Sequence, residues 1–158
     1  MANEFQTQIV KKMIKARLSI TAAESLTAGM FQSTLGDVAG VSAIFPGGFV
    51  TYADEVKHQL VGVSDDTIAQ FGVVSEQTAL EMASGASQVL NTKVAVSFTG
   101  VAGPDPLEGH PAGTVWIGLS FVGHHSIARV YHFQGDRDAV RRQAVAKGFE
   151  MIADCLVE

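Results

Sequence analysis

A single cysteine, Cys155, is all the thiol chemistry in this chain. One thiol excludes an intramolecular disulfide framework and a cysteine-built zinc site, and it suits a reducing compartment. Cationic charge is also short, with 11 Lys+Arg against 16 Asp+Glu and a formal net charge of -5. That balance leaves no footprint for nucleic acid or for an anionic membrane surface. No run of about 18 apolar residues occurs, so no segment is expected to span a membrane. The opening stretch, MANEFQTQIVKKMIKARLSI, mixes acids and bases in a helical rhythm and lacks the apolar region of a signal peptide, which implies a cytoplasmic protein. What is plentiful is glycine, 16 of 158 residues, within a composition that is 47% hydrophobic. Such a length and apolar content suit one globular domain over residues 1–158. The apolar fraction also suggests a buried subunit interface, hence a homo-oligomer, with a dimer the simplest form.

Periodicity divides the chain into alternating elements. Phe5, Ile9, Met13 and Ile14 recur at helical spacing opposite Lys11, Lys12, Lys15 and Arg17, predicting an amphipathic helix packed on a core. Leu18 to Ala23 reads as a short buried strand, and residues 25 to 35 as a helix opened by Ser25. Gly47 to Tyr52 (GGFVTY) has strand composition. Short helices follow over Asp54 to Leu60 and from Ser64 to Gly72. Ser75 caps a longer helix with Ala79, Met82, Ala83, Ala86 and Val89 on one face. Lys93 to Phe98 is the cleanest strand, and Thr114 to Val122 with Ser126 to Phe133 form a hairpin about GHH. Asp136 caps a final helix with Val140, Ala144, Ile152 and Leu156 inward. The order implies an α/β protein, with a mixed, mostly parallel sheet covered on both faces and a hairpin at its end.

Ser25, Tyr52 and Thr99 each fall at or just past the carboxyl end of a predicted strand, where open α/β sheets bind ligands. If those strands run parallel, the three hydroxyls converge on one crevice. In TAAESLTAG, Ser25 is either a plain N-cap or a nucleophile beside helix amides that can hold an oxyanion, with Thr27 and Gly29 keeping the first turn open. In TYADEVK, Lys57 is either a solvated lysine or a base made neutral by desolvation, and Tyr52 is a core aromatic or a proton relay. In SFTGVAGPD, Thr99, Gly100 and Gly103 make either a structural turn or a nest of N–H groups for an anion. In GDRDAVRRQA, Arg137 and Arg141 are one turn apart and either clamp an anion or pair with Asp136 and Asp138. The phosphate loop GxxxxGK[ST], GxGxxG and the nucleophile elbow GxSxG are all absent. His58, His110, His124, His125 and His132 show no ligand spacing, so no metal site is expected.

Taken together, TAAESLTAG, GGFVTYADEVK, GVVSEQ, SFTGVAGPD, GTVWIGL and GDRDAVRRQA resemble the C-terminal domain family of competence/damage-inducible protein CinA, which also occurs as a free-standing nicotinamide-nucleotide amidohydrolase. The resemblance runs over nearly the whole chain and looks like the stand-alone form. It implies a three-layer α/β/α sandwich and hydrolysis of the carboxamide of nicotinamide mononucleotide to nicotinate mononucleotide and ammonia, a pyridine-nucleotide salvage step. It implies no metal and no organic cofactor. By the same resemblance, Ser25, Tyr52 and Lys57 are catalytic, while Thr99 and a helix arginine, Arg141 with Arg137 beside it, bind the nucleotide. Where the family usually reads AESCTGG, Leu26 and Ala28 replace a cysteine and a glycine. The loop DPLEGHPAGT lacks the family's paired glycines and its lysine before the proline. Two other classes stay open: an inactive nucleotide-binding relative, and an interaction module working with a DNA-uptake or repair partner. Release of ammonia from nicotinamide mononucleotide separates the first from an enzyme.

Overall fold

The computed structural model describes residues 1–157. One five-stranded sheet has the order β2-β1-β3-β4-β5, formed by β1 (Ile20–Glu24), β2 (Phe49–Val50), β3 (Val94–Gly100), β4 (Thr114–Phe121) and β5 (Ile127–His132). β2, β1 and β3 are parallel, whereas β4 and β5 continue the sheet antiparallel as the expected hairpin. Helices α1 (Glu4–Ala16), α2 (Met30–Gly36) and α6 (Arg137–Leu156) pack on one face. Helices α3 (Asp54–Val61), α4 (Asp65–Phe71) and α5 (Glu76–Leu90) cover the other. The result is the three-layer α/β/α sandwich.

Alternation along the strands explains the layers. Val94, Val96 and Phe98 enter the larger core with Ile20 and Ala22, alongside Phe31 and Phe149 from the helices. Ala23 and Ala95 face the other way, onto Val61, Met82 and Ala86. Small residues there let α5 lie close to the sheet: Ser97 Oγ donates to Ala79 O at 2.6 Å. Caps set the helix starts where the sequence implied them. Ser64, Ser75 and Asp136 accept from Asp66, Thr78 and Ala139 amides, and Asn3 forms a capping box with Gln6.

Several expectations need correction. Phe5 and Val89 were placed on buried faces but are 45% and 56% exposed. Both lie at the margin of a helix stripe, where a 100° step per residue soon carries a side chain into solvent. The strand expected over Gly47 to Tyr52 is only Phe49–Val50, because it is an edge that β1 alone supports. Residues 25 to 29 are a turn rather than the start of α2, which begins at Met30. Ala28 (φ 46°) and Gly29 (φ 96°) are left-handed there and break helical geometry.

Candidate functional site

The parallel register levels the strand ends. Glu24 stands opposite both Val50 and Phe98, and the ladder continues with Ser25 N donating to Phe98 O and Thr51 N donating to Glu24 O. Ser25, Thr51 and Thr99 therefore lie side by side at the carboxyl edge. Beyond that edge is a cleft of about 340 Å³ lined by Ser25, Leu26, Tyr52, Asp54, Lys57, Val73, residues 99–107 and Arg137. Ser25, Tyr52 and Thr99, the three residues expected at strand ends, all line this cleft, and Lys57, Gly100, Gly103 and Arg137 join them. Thr27, Gly29 and Arg141 are not brought into it.

Lys57 occupies the floor. It projects from α3 and is 1% exposed, so it is not a solvated lysine. Its Nζ lies 2.9 Å from Thr51 O, 3.0 Å from Tyr52 O and 3.2 Å from Ser25 Oγ. Burial lowers its pKa from the ordinary 10.5, against the opposing pull of Asp54 and Glu108. A neutral amine has two N–H donors and one lone pair. Lys57 Nζ donates to both carbonyls and to Ser25 Oγ, whose own proton faces Tyr52 O at 3.5 Å; a neutral amine that kept its two donors on the carbonyls would turn its lone pair to Ser25. Ser25 itself is 8% exposed, at the cleft wall.

Tyr52 is 53% exposed rather than a core aromatic. It contributes twice, with its carbonyl on Lys57 and its hydroxyl accepting from Arg137 Nη2 at 2.8 Å. Arg137 Nη1 also donates to Gly103 O at 2.6 Å, so the cation is tethered across the mouth of the cleft. Thr99 Oγ1 donates to Val73 O at 2.7 Å and holds a wall in place. A Cβ at Gly100 would lie 2.3 Å from Thr114 O, so its lack of a side chain serves the approach of β4 rather than a ligand.

The helix-amide reading of Ser25 is corrected by Glu24. Its fully buried carboxylate accepts from Phe31 N at 2.9 Å, Gln32 N at 3.0 Å and Gln32 Nε2 at 2.8 Å. The positive end of α2 is thereby satisfied from within. In the turn after Ser25, Ala28 N donates to Ser25 O and Met30 N to Thr27 O, while Leu26 N and Thr27 N have no backbone acceptor among the described residues. Arg141 braces this turn from behind, with Nε donating to Leu26 O at 2.8 Å and Nη2 to Thr27 O at 3.2 Å. With Gly29 it lines a separate cleft, so Arg137 and Arg141 do not clamp one anion. The Thr27 and Thr51 hydroxyls are buried without a hydrogen-bond partner among the described residues.

Glu24 and Glu108 were missed in the sequence. An acid directly before Ser25 and seven residues ahead of Phe31 was the one available sign of the first. Nothing local marked the second, whose partners are 34 and 35 residues away. Among the described residues, no group of three or more His, Cys, Asp or Glu is placed to hold a metal ion. No helix among the described residues is long and apolar enough to cross a membrane.

Comparison with known proteins agrees with this architecture. The CinA C-terminal domain model matches residues 2–156. A competence-damage inducible protein of Lactiplantibacillus plantarum is 59% identical over 156 residues, covering 99% of this chain and 37% of the relative. One from Listeria monocytogenes serovar 1/2a is 47% identical over 94% of this chain and 36% of its own length. The chain therefore spans less than half the length of these curated relatives. A crystal structure of a CinA superfamily protein from Klebsiella pneumoniae superposes with a TM-score of 0.94 at 33% identity, covering 98% of this chain and 96% of that one. With its sheet order, its strand-end cleft and a match over residues 2–156, the chain belongs to the CinA C-terminal domain family.

Proposed function

We propose that this chain is an amidohydrolase that converts nicotinamide mononucleotide and water to nicotinate mononucleotide and ammonia. The observation that carries this reading is a buried lysine amine 3.2 Å from a serine hydroxyl at the carboxyl edge of a parallel sheet. Ser25 Oγ attacks the carboxamide carbon as Lys57 Nζ takes its proton. The Leu26 amide, at the cleft wall, stabilises the oxyanion, an effect worth about 3–4 kcal/mol for a well-placed donor. The C–N bond then breaks as Lys57 returns the proton to the departing ammonia. Water, deprotonated by Lys57, hydrolyses the Ser25 ester and releases the carboxylate. Arg137, at the mouth of the cleft, meets the substrate phosphate, and Thr99, Gly100 and Gly103 form the wall beneath it. Thr27, Gly29 and Arg141 shape and brace the turn that carries Ser25.

The test is ammonia release from nicotinamide mononucleotide by the wild type beside Ser25→Ala. Activity that Ser25→Ala abolishes supports the reading. A Ser25→Ala protein as active as wild type, or an inactive wild type, refutes it.

A further inference from the structure

The segment from Pro104 to Pro111 lines the cleft through residues 104–107 and folds back as a miniature hairpin. Leu107 N donates to His110 O at 3.0 Å and His110 N to Leu107 O at 2.8 Å, which leaves Glu108 and Gly109 as the two tip residues. Both have positive φ, 51° and 79°, the geometry of a type I′ turn. Gly109 suits its place. Glu108 does not, because a long side chain in the left-handed region carries a conformational cost that Asn, Asp or Gly would largely avoid.

The side chain shows what this cost accomplishes. Glu108 Oε2 accepts from Val73 N at 3.1 Å and Oε1 from Val74 N at 2.9 Å, so one carboxylate spans two successive amides. Gly72 makes room for it, since a Cβ there would lie 2.7 Å from Oε1. The segment it grips is held from the opposite side too. Thr99 Oγ1 donates to Val73 O, and Ser75 Oγ and Thr78 Oγ1 both donate to Gly72 O. Val73 and Leu107 both line the cleft. A strained residue kept at a tip, with its carboxylate docked on the opposite wall, points to a role beyond the turn.

We propose that Glu108 is a positioning residue that latches the 104–111 hairpin onto residues 73–74, fixing the outer wall of the cleft before substrate arrives and thereby selecting a mononucleotide over a bulkier dinucleotide amide. The selectivity rests on the amidohydrolase reading; the latch does not. Preorganised walls improve substrate selection because the ordering cost is met during folding rather than during binding.

Glu108→Asn tests this cleanly. Asn favours the turn geometry but is too short to reach Val73 and Val74, so the variant folds while the latch is cut. Hydrogen exchange should show the Val73 and Val74 amides opening about tenfold faster than in wild type. With nicotinamide mononucleotide, KM should rise about fivefold or more while kcat changes less than about threefold. The preference for the mononucleotide over nicotinamide adenine dinucleotide, as a ratio of kcat/KM values, should fall about tenfold. Glu108→Gln, which keeps one accepting oxygen, should lie between the two. Unchanged exchange at residues 73–74, or accelerated exchange with KM and the preference ratio both unmoved, overturns the proposal. An inactive wild type would refute the amidohydrolase function instead, and the exchange measurement would still decide whether the latch exists.

Discussion

Replacing Lys57 with methionine removes one amine from the centre of the site and leaves a side chain of similar length. Two consequences follow from the geometry. Under the proposed mechanism catalysis loses its base, a loss of about 10²–10⁴ in kcat/KM for a positioned general base, or about 3–5 kcal/mol of barrier. Folding loses the donors to Thr51 O and Tyr52 O, now 2.9 and 3.0 Å from Nζ. Thr51 is fully buried, so losing the donor to its carbonyl costs about 1–3 kcal/mol, whereas Tyr52 O keeps the Ser25 hydroxyl 3.5 Å away. The pH dependence separates the amine from its packing. Burial holds the folded pKa of Lys57 below 10.5, whereas the unfolded chain keeps the ordinary value. Between those two values the unfolded state binds more protons, so stability rises with pH across that window. Lys57→Met lacks this term, and the stability gap between wild type and variant should widen as pH rises toward 10.5. Urea unfolding at several pH values reads the gap, and ammonia release reads catalysis. Parallel stability profiles for the two proteins would refute the lowered pKa of the buried amine. A variant that keeps more than about a tenth of wild-type kcat/KM would refute its role as base.

Arg141→Lys should lower kcat about tenfold with little change in KM, because it loosens the Ser25 turn; a rise in KM alone would return Arg141 to phosphate binding. Glu24→Gln puts an NH₂ donor where a buried carboxylate oxygen now accepts amide N–H groups, and should cost about 1–3 kcal/mol in denaturant unfolding. Ala28→Gly should raise stability by up to about 1 kcal/mol, since φ 46° suits glycine; a lower melting temperature would show that the turn is not strained. Gly100→Ala should destabilise by about 1–3 kcal/mol, because its Cβ would press on Thr114 O and force β3 from β4.

The elements that the residues announced most plainly were those governed by local chemistry. Ser64, Ser75 and Asp136 start helices because their side chains satisfy amides two or three residues on, a relation contained within one turn. Lys93 to Phe98 (KVAVSF) is a short run with β-branched and aromatic residues that stops at a Gly/Pro-rich loop, and that was enough to mark the central strand. The intervening helices pointed to a mostly parallel sheet, and, given parallel strands, to the meeting of Ser25, Tyr52 and Thr99 at one edge.

Tertiary structure decided what those residues do. Lys57 looks like any helix lysine in TYADEVK, and only packing beneath Thr51, Tyr52 and Ser25 removes its water and lowers its pKa. Arg137 and Arg141 share a helix face, yet the turn after Ser25 claims the second through Leu26 O and Thr27 O. Glu24 and Glu108 are unremarkable acids until the fold brings amides to them from seven and about 35 residues away. Local sequence determines which bonds a residue can make with its neighbours along the chain. Burial and long-range partners, which set proton affinity and charge placement, exist only once the sheet and its two helical layers have closed.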